Sequence, residues 1–148
     1  MEFDYVVVGA GSSGCVVANR LSQCGRYSVA LIEAGPPDNN PWIHVPVGYF
    51  KTMGNPKSDW CYKTQPDPGI SGRSIPWPRG RVMGGSSSIN GLLYVRGQPN
   101  DFDTWSQLGC SGWSWDDVLP YFRLSESWKG KGDTSLRGRE GPLSVQPS

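Results

Sequence analysis

The sequence predicts an α/β fold that opens on a βαβ unit, and three observations carry that prediction. Asp4-Tyr5-Val6-Val7-Val8 is a short apolar, β-branched run. Gly9, Gly11 and Gly14 follow it with G-x-G-x-x-G spacing, and Ser28-Val29-Ala30-Leu31-Ile32 supplies a second apolar run that ends in Glu33. Runs of this length and composition read as buried strands, and a helix between them makes the pair parallel.

The glycine turn has a mechanical reading. Its spacing gives a tight turn, a close backbone approach to a pyrophosphate, and a close helix–strand contact. Ser13 to Cys24 reads as the helix, with Cys15, Ala18 and Leu21 on one face and Gly25 as its C-cap. The helix N-terminus then offers amides and the favourable end of its dipole to the phosphates. Glu33 lies nineteen residues after Gly14, where a carboxylate accepts hydrogen bonds from adenosine ribose hydroxyls and disfavours a 2′-phosphate. The alternatives are a turn without a ligand and a solvated acid at a strand end.

Composition narrows the class. The 148 residues suffice for one domain with a core, and 14 Lys+Arg against 13 Asp+Glu give no polyanion-binding signal. Seven Trp argue for packed surface rather than disorder. Cys15, Cys24, Cys61 and Cys110 form no C-x-x-C pair, so neither a metal site nor a disulfide framework is expected. The first strand leaves no room for a signal peptide, and no apolar run is long enough to span a bilayer. The expected location is cytoplasmic, with attachment to a membrane surface left open.

From Gly35 to Pro68, turn residues dominate, yet Trp42, Ile43, Val45 and Val47 give the stretch enough apolar content to pack as a lid over a ligand. His44, the single histidine, reads as a packed, hydrogen-bonded side chain rather than a catalytic base. Asp59-Trp60-Cys61-Tyr62-Lys63-Thr64 alternates like a strand, and Trp60 is either core or a stacking surface for a base. A second glycine cluster, Gly80-Arg81-Val82-Met83-Gly84-Gly85-Ser86-Ser87-Ser88-Ile89-Asn90-Gly91, can turn successive amides into one concave nest. Arg79 and Arg81 either add positive charge there or stand in a solvated loop. The alternative, a flexible linker, is opposed by the apolar run Ile89 to Val95 that follows. Beyond it, Asn100 or Asp101 is expected to cap a short helix carrying Phe102, Trp105 and Leu108 and ended by Gly109. Ser114 should cap a second helix to about Glu126, with Asp117 at the capping-box position and a kink at Pro120. Lys129 to Glu140 reads as a polar loop, and Gly141 to Gln146 as a strand with nothing after it to pack against, which suggests an interrupted protein.

Taken together, these segments resemble the N-terminal part of the glucose–methanol–choline (GMC) family of FAD-dependent oxidoreductases, closest in look to its bacterial-type choline and aliphatic-alcohol dehydrogenases. The resemblance rests on the opening Asp4-Tyr5-Val6-Val7-Val8-Gly9-Ala10-Gly11-Ser12-Ser13-Gly14-Cys15, on Ile32-Glu33-Ala34-Gly35, and on Gly80 to Asn90 with Gly97 and Asp103 following. Trp105, Leu119-Pro120-Tyr121-Phe122 and Gly141-Pro142-Leu143 extend it. It implies an FAD-binding Rossmann-like βαβ unit of the glutathione-reductase type over 1–35 and a lid over 36–79. A second flavin-binding segment over 80–97 and the start of a substrate domain over 98–148 complete a fold that is partial by itself. It also implies that Gly9, Gly11, Ser12, Ser13, Gly14, Glu33 and Ala34 hold the ADP half of FAD, with Trp60 on the adenosine side. Gly80, Arg81, Gly84, Gly85, Ser88 and Asn90 would follow the pyrophosphate and ribityl chain, and Gly91, Leu92 and Leu93 would lie beside the flavin ring. Some family members attach FAD through a histidine just before the signature asparagine. Ile89 stands there, so non-covalent FAD is expected. No residue of this chain is expected to be catalytic or to bind a metal. The general base, a histidine with a His or Asn partner, would come from a companion chain or missing sequence, and the implied reaction is oxidation of an alcohol by hydride transfer to flavin N5. A non-catalytic nucleotide-binding module, or a flavin lyase or photodecarboxylase of the same family, is the alternative.

Overall fold

The computed structural model describes residues 2–132 and 134–147 and divides into two compact units, one running to Leu93 and one starting at Tyr94. In the first unit, β1 (Tyr5–Val8), α1 (Ser12–Ser22) and β2 (Val29–Ile32) form the expected βαβ unit. The strands pair in parallel from Tyr5↔Val29 to Val8↔Ile32. Asp4 fixes this register, since its Oδ2 accepts hydrogen bonds from both the amide and the hydroxyl of Ser28 at 2.7 Å.

Three local expectations are corrected. The strands are not buried: Val8 is 82% and Val6 57% exposed. A continuous apolar strand calls for cover on both faces, and the helix that packs on β1 and β2 is α1. On α1 the less exposed positions are Gly14, Ala18 and Leu21 rather than Cys15, and Gln23, not Gly25, is the C-cap. Gly25 instead closes the following turn with φ +67° and an amide bonded to Ser22 O.

The stretch after Gly35 has more order than its composition suggests. Two 3₁₀ turns, Pro41–Ile43 and Pro46–Gly48, lead into a one-turn helix, α2 (Tyr49–Thr52). The expected strand at 59–64 shrinks to β3 (Tyr62–Lys63), paired antiparallel with β4 (Pro76–Trp77), while Asp59 bridges Gly80. The buried residues of this unit lie around the connections rather than the sheet: Ala10, Val82, Ile89, Thr52, Ser58 and Asp59 are each at most 3% exposed.

In the second unit, α3 (Pro99–Gln107) is capped by Gln98, not by Asn100 or Asp101. Pro99 takes the first helical position, and Asp101 reaches back so that its Oδ2 accepts the Gln98 amide at 2.8 Å. α4 (Trp115–Ser125) starts as expected. The Asp117 carboxylate accepts the Ser114 amide at 3.0 Å, and Ser114 Oγ accepts the Asp117 amide at 3.3 Å. The helix continues through Pro120. Phe102 is buried against the Trp105, Trp115 and Phe122 rings, with centroids 5.3–5.7 Å away. Two points differ from expectation. Glu126–Trp128 forms a strand, β5, and β6 (Leu143–Val145) has a partner because it pairs with β5 in parallel. Glu126, fully buried, explains the change from helix to strand. Its carboxylate receives Arg96 Nη2 at 2.7 Å, Arg137 Nη1 at 2.6 Å and the Gly138 amide at 2.9 Å. Among the described residues, no helix is long and apolar enough to cross a membrane.

Candidate functional site

The first unit brings the two glycine segments into backbone contact. Gly9 donates to Ile32 O at 2.7 Å as the chain leaves β1, and a Cβ on Gly14 would sit 1.9 Å from Gly9 O, so α1 reaches this strand only with glycine there. The second segment docks on the turn. The Gly84 amide donates to Ala10 O at 2.8 Å, and a Cβ on Gly85 would lie 2.9 Å from Gly11 Cα. Gly35, just after Glu33, passes so close to Arg81 that a Cβ would be 2.1 Å from its carbonyl carbon, and the Met83 amide bonds Pro36 O at 3.0 Å. Within the second segment, Gly80 meets Gly85 O in the same way. Such approaches are possible only where at least one of the two residues lacks a Cβ.

The N-terminus of α1 is left open. Gly11 is its N-cap, with no side-chain cap and no acid in the first turn, which contains Ser12, Ser13 and Gly14. Orphan amides and the positive end of the dipole therefore face outward, a ready anion site. Glu33 is half-buried beside them: its Oε2 accepts the Ala10 amide at 2.8 Å and its Oε1 the Gly35 amide at 2.9 Å. An ionised carboxylate has about four lone-pair sites, so Glu33 keeps acceptor capacity for hydroxyl donors while holding the turn. Ala34 is exposed next to it.

The other predicted residues belong to the same unit, which runs to Leu93. Gly85–Ser88 makes a 3₁₀ turn in which Ser88 Oγ donates to Met83 O at 2.7 Å. Asn90 Oδ1 accepts the Leu92 amide at 2.9 Å and stabilises Leu92 at φ +60°. Gly91 and Leu93 are exposed. Trp60 is 43% exposed and stacks on Tyr62, with centroids 5.9 Å apart and planes 2° apart, so it is not a core residue of this unit. The Arg81 guanidinium lies 5.5 Å from the Trp60 ring centroid and donates from Nη2 to Pro56 O at 2.7 Å. Its Nε is buried with no hydrogen-bond partner.

Asp59 is a site residue that the pattern of the sequence did not single out. It is 2% exposed; its Oδ1 accepts the Cys61 and Arg79 amides, both at 2.9 Å, and its Oδ2 the Gly54 amide at 2.7 Å. Burial pushes its pKa up, but the Cys61, Gly54 and Arg79 amides, with the Arg79 charge, outweigh it and hold the carboxyl below the usual range. A lone acid before Trp-Cys-Tyr has no spacing that would reveal such a role. His44 is hydrogen-bonded as expected, through Nε2 to Asp38 O at 2.7 Å, but its side chain is 60% exposed, so it is not packed. The cysteines are free, and among the described residues no group of three His, Cys, Asp or Glu could hold a metal ion.

Comparison with known proteins identifies the family. The GMC oxidoreductase family model matches residues 3–148. An oxygen-dependent choline dehydrogenase of Brucella ovis is 51% identical over 146 residues, 99% of this chain and 26% of that protein. One from Photobacterium profundum is 48% identical over 141 residues, covering 95% of this chain and 25% of the relative. Among solved structures, pyridoxine 4-oxidase from Mesorbium loti matches with TM-score 0.87 and 40% identity over 97% of this chain and 28% of that one. An FAD-dependent oxidoreductase from Chaetomium thermophilum matches with TM-score 0.81 and 32% identity over 98% and 26%. The chain thus spans about a quarter of the length of these relatives. With the family model matched over residues 3–148, the chain belongs to the GMC oxidoreductase family.

Proposed function

We propose that this chain forms the FAD-holding N-terminal part of an enzyme that oxidises an alcohol. The observation that carries the reading is the backbone docking of the second glycine segment on the first, Gly84 to Ala10 and Gly85 to Gly11, beside the uncapped N-terminus of α1. That arrangement fits an extended dianionic dinucleotide. First-turn amides at Ser12, Ser13 and Gly14 would receive the pyrophosphate, and Glu33 the adenosine ribose. Trp60 would offer its exposed face to the adenine, and the unpartnered Arg81 Nε marks positive charge held next to it. The segment from Gly80 to Leu93 would follow the rest of the cofactor. Ile89, 2% exposed and without a nucleophilic atom, supports non-covalent binding.

When bound, FAD supplies the hydride acceptor, and the protein's share is positioning and electrostatics. This chain's residues bind and orient; none is a credible general base, because His44 stands in solvent against Asp38. The base is assigned to polypeptide beyond these residues, whether continuous or a companion chain. The names of the relatives make choline and pyridoxine the first alcohols to try. Free cysteines suit a reducing, cytoplasmic compartment. The test is a flavin absorbance band in the complete enzyme, release of that flavin into the supernatant on acid precipitation, and dye reduction with choline or pyridoxine. A complete enzyme that takes up no FAD would overturn the reading; a flavin that stays with the precipitate would overturn non-covalent binding alone.

A further inference from the structure

Asp59 lies where two parts of the nucleotide face meet. Ser58-Asp59-Trp60 and Arg79-Gly80-Arg81 run antiparallel, with the Trp60 amide on Arg79 O at 2.9 Å and the Arg81 amide on Ser58 O at 2.8 Å. The Asp59 carboxylate adds a clamp across them through Cys61 and Arg79, and Gly54 ties it to the turn after α2. Cys61 has φ +54°, a conformation that costs a non-glycine residue energy and persists only where surroundings enforce it. The Asp59 Oδ1 contact enforces it. With Cys61 so turned, Trp60 and Tyr62, two residues apart, stack in parallel planes, and Arg81 reaches the Trp60 ring.

We infer that Asp59 is a positioning residue for the adenosine end of the flavin site: its buried carboxylate holds the Trp60–Tyr62 stack and the Arg79–Arg81 strand in one arrangement, and nucleotide affinity depends on that arrangement. This rests on the FAD reading above. The side chain itself is 2% exposed and turned inward onto three backbone amides, so it acts through Trp60 and Arg81.

The experiment uses the complete enzyme, stripped of flavin and titrated with FAD and separately with ADP, in wild type, Asp59→Ala and Asp59→Asn. Wild type tests the reading on its own, since failure to bind either nucleotide defeats FAD binding whatever Asp59 does. Given wild-type binding, Asp59→Ala should weaken FAD and ADP by the same factor, about tenfold or more, because acceptors for three amides are lost. Far-UV circular dichroism of the variant should stay that of wild type at the temperature used. A purely structural role would lower the melting temperature and leave the affinity of the folded protein unchanged, and that result overturns the proposal. A loss for FAD that spares ADP also overturns it. Should Asp59→Ala fail to fold, Asp59→Asn decides. Either orientation of its amide sets an N–H against at least one of the three donors, so affinity for both nucleotides should fall about threefold or more. Wild-type affinity in that variant is the refuting result.

Discussion

Replacing Gly85 by alanine perturbs the junction of the two glycine segments at one atom. Gly85 has φ +58°, a left-handed conformation that costs an L-residue with a Cβ about 1 kcal/mol. The added Cβ would also stand 2.9 Å from Gly11 Cα, where ordinary contact begins at 3.4 Å, so the segments must part by 3.4 − 2.9 = 0.5 Å. Neither the added Cβ nor the Gly11 Cα can swing aside as the end of a flexible side chain would, and overpacking of that kind costs about 1 kcal/mol more. The sum, about 2 kcal/mol, corresponds to about thirtyfold in an equilibrium. The 2.8 Å bond from the Gly84 amide to Ala10 O stretches with the same movement. Urea unfolding should report the stability loss, and FAD titration of the stripped enzyme a weaker complex. Gly25→Ala, outside the site, is the control: its φ of +67° carries the same conformational cost, but a Cβ there meets nothing within 4 Å, so it should lose about 1 kcal/mol of stability and leave FAD affinity unchanged. If Gly85→Ala and Gly25→Ala behave alike in both assays, the docked junction does not set the geometry of the site.

Two further outcomes follow from buried carboxylates. Glu126→Ala leaves Arg96 and Arg137 without their shared partner, and the loss should be about 3 to 5 kcal/mol by denaturant titration, because the uncompensated charges are costly. Asp59 has a lowered pKa in the folded protein, so its contribution is present above the unfolded value of about 4 and fades as pH falls through the folded one. The stability gap between wild type and Asp59→Asn should therefore be widest near neutrality and narrow in acid; a gap that grows as the pH drops contradicts the hydrogen bonds to Asp59.

The parts of the fold legible in the sequence are those with local, periodic or glycine-based signals. The Ser114 cap and the two glycine segments each announce themselves within about ten residues, and the βαβ unit within about thirty. What stayed hidden depends on contacts between distant residues. Glu126 reads as the last turn of a helix until Arg96, Arg137 and Gly138 are seen around it, and only then does β5 make sense. Asp59 depends on Gly54 and Arg79, which no spacing rule connects to it. The exposure of Val6 and Val8 was invisible for a different reason. Apolar continuity states what a strand needs on its faces, whereas the cover must come from other elements.

The three longer helices show where an anion is wanted. α3 places Asp101 in its first turn, and α4 places Asp116 and Asp117 there behind the Ser114 cap, so both supply their own negative partners. α1 has no acid, no side-chain cap and an N-cap glycine. A protein selected for stability alone would fill that position, since an acid in a first turn stabilises by about 0.3 to 1 kcal/mol. Ser13→Asp makes that substitution on an exposed residue. If the open N-terminus is kept for a pyrophosphate, the variant should be more stable without nucleotide and bind FAD at least about tenfold more weakly, because the new carboxylate competes for the amides and repels the phosphates. The two effects have opposite signs, which separates them from general damage. Weaker binding with lower stability would mean the turn was merely disrupted, and unchanged binding would mean that the amides of α1 do not hold the phosphates.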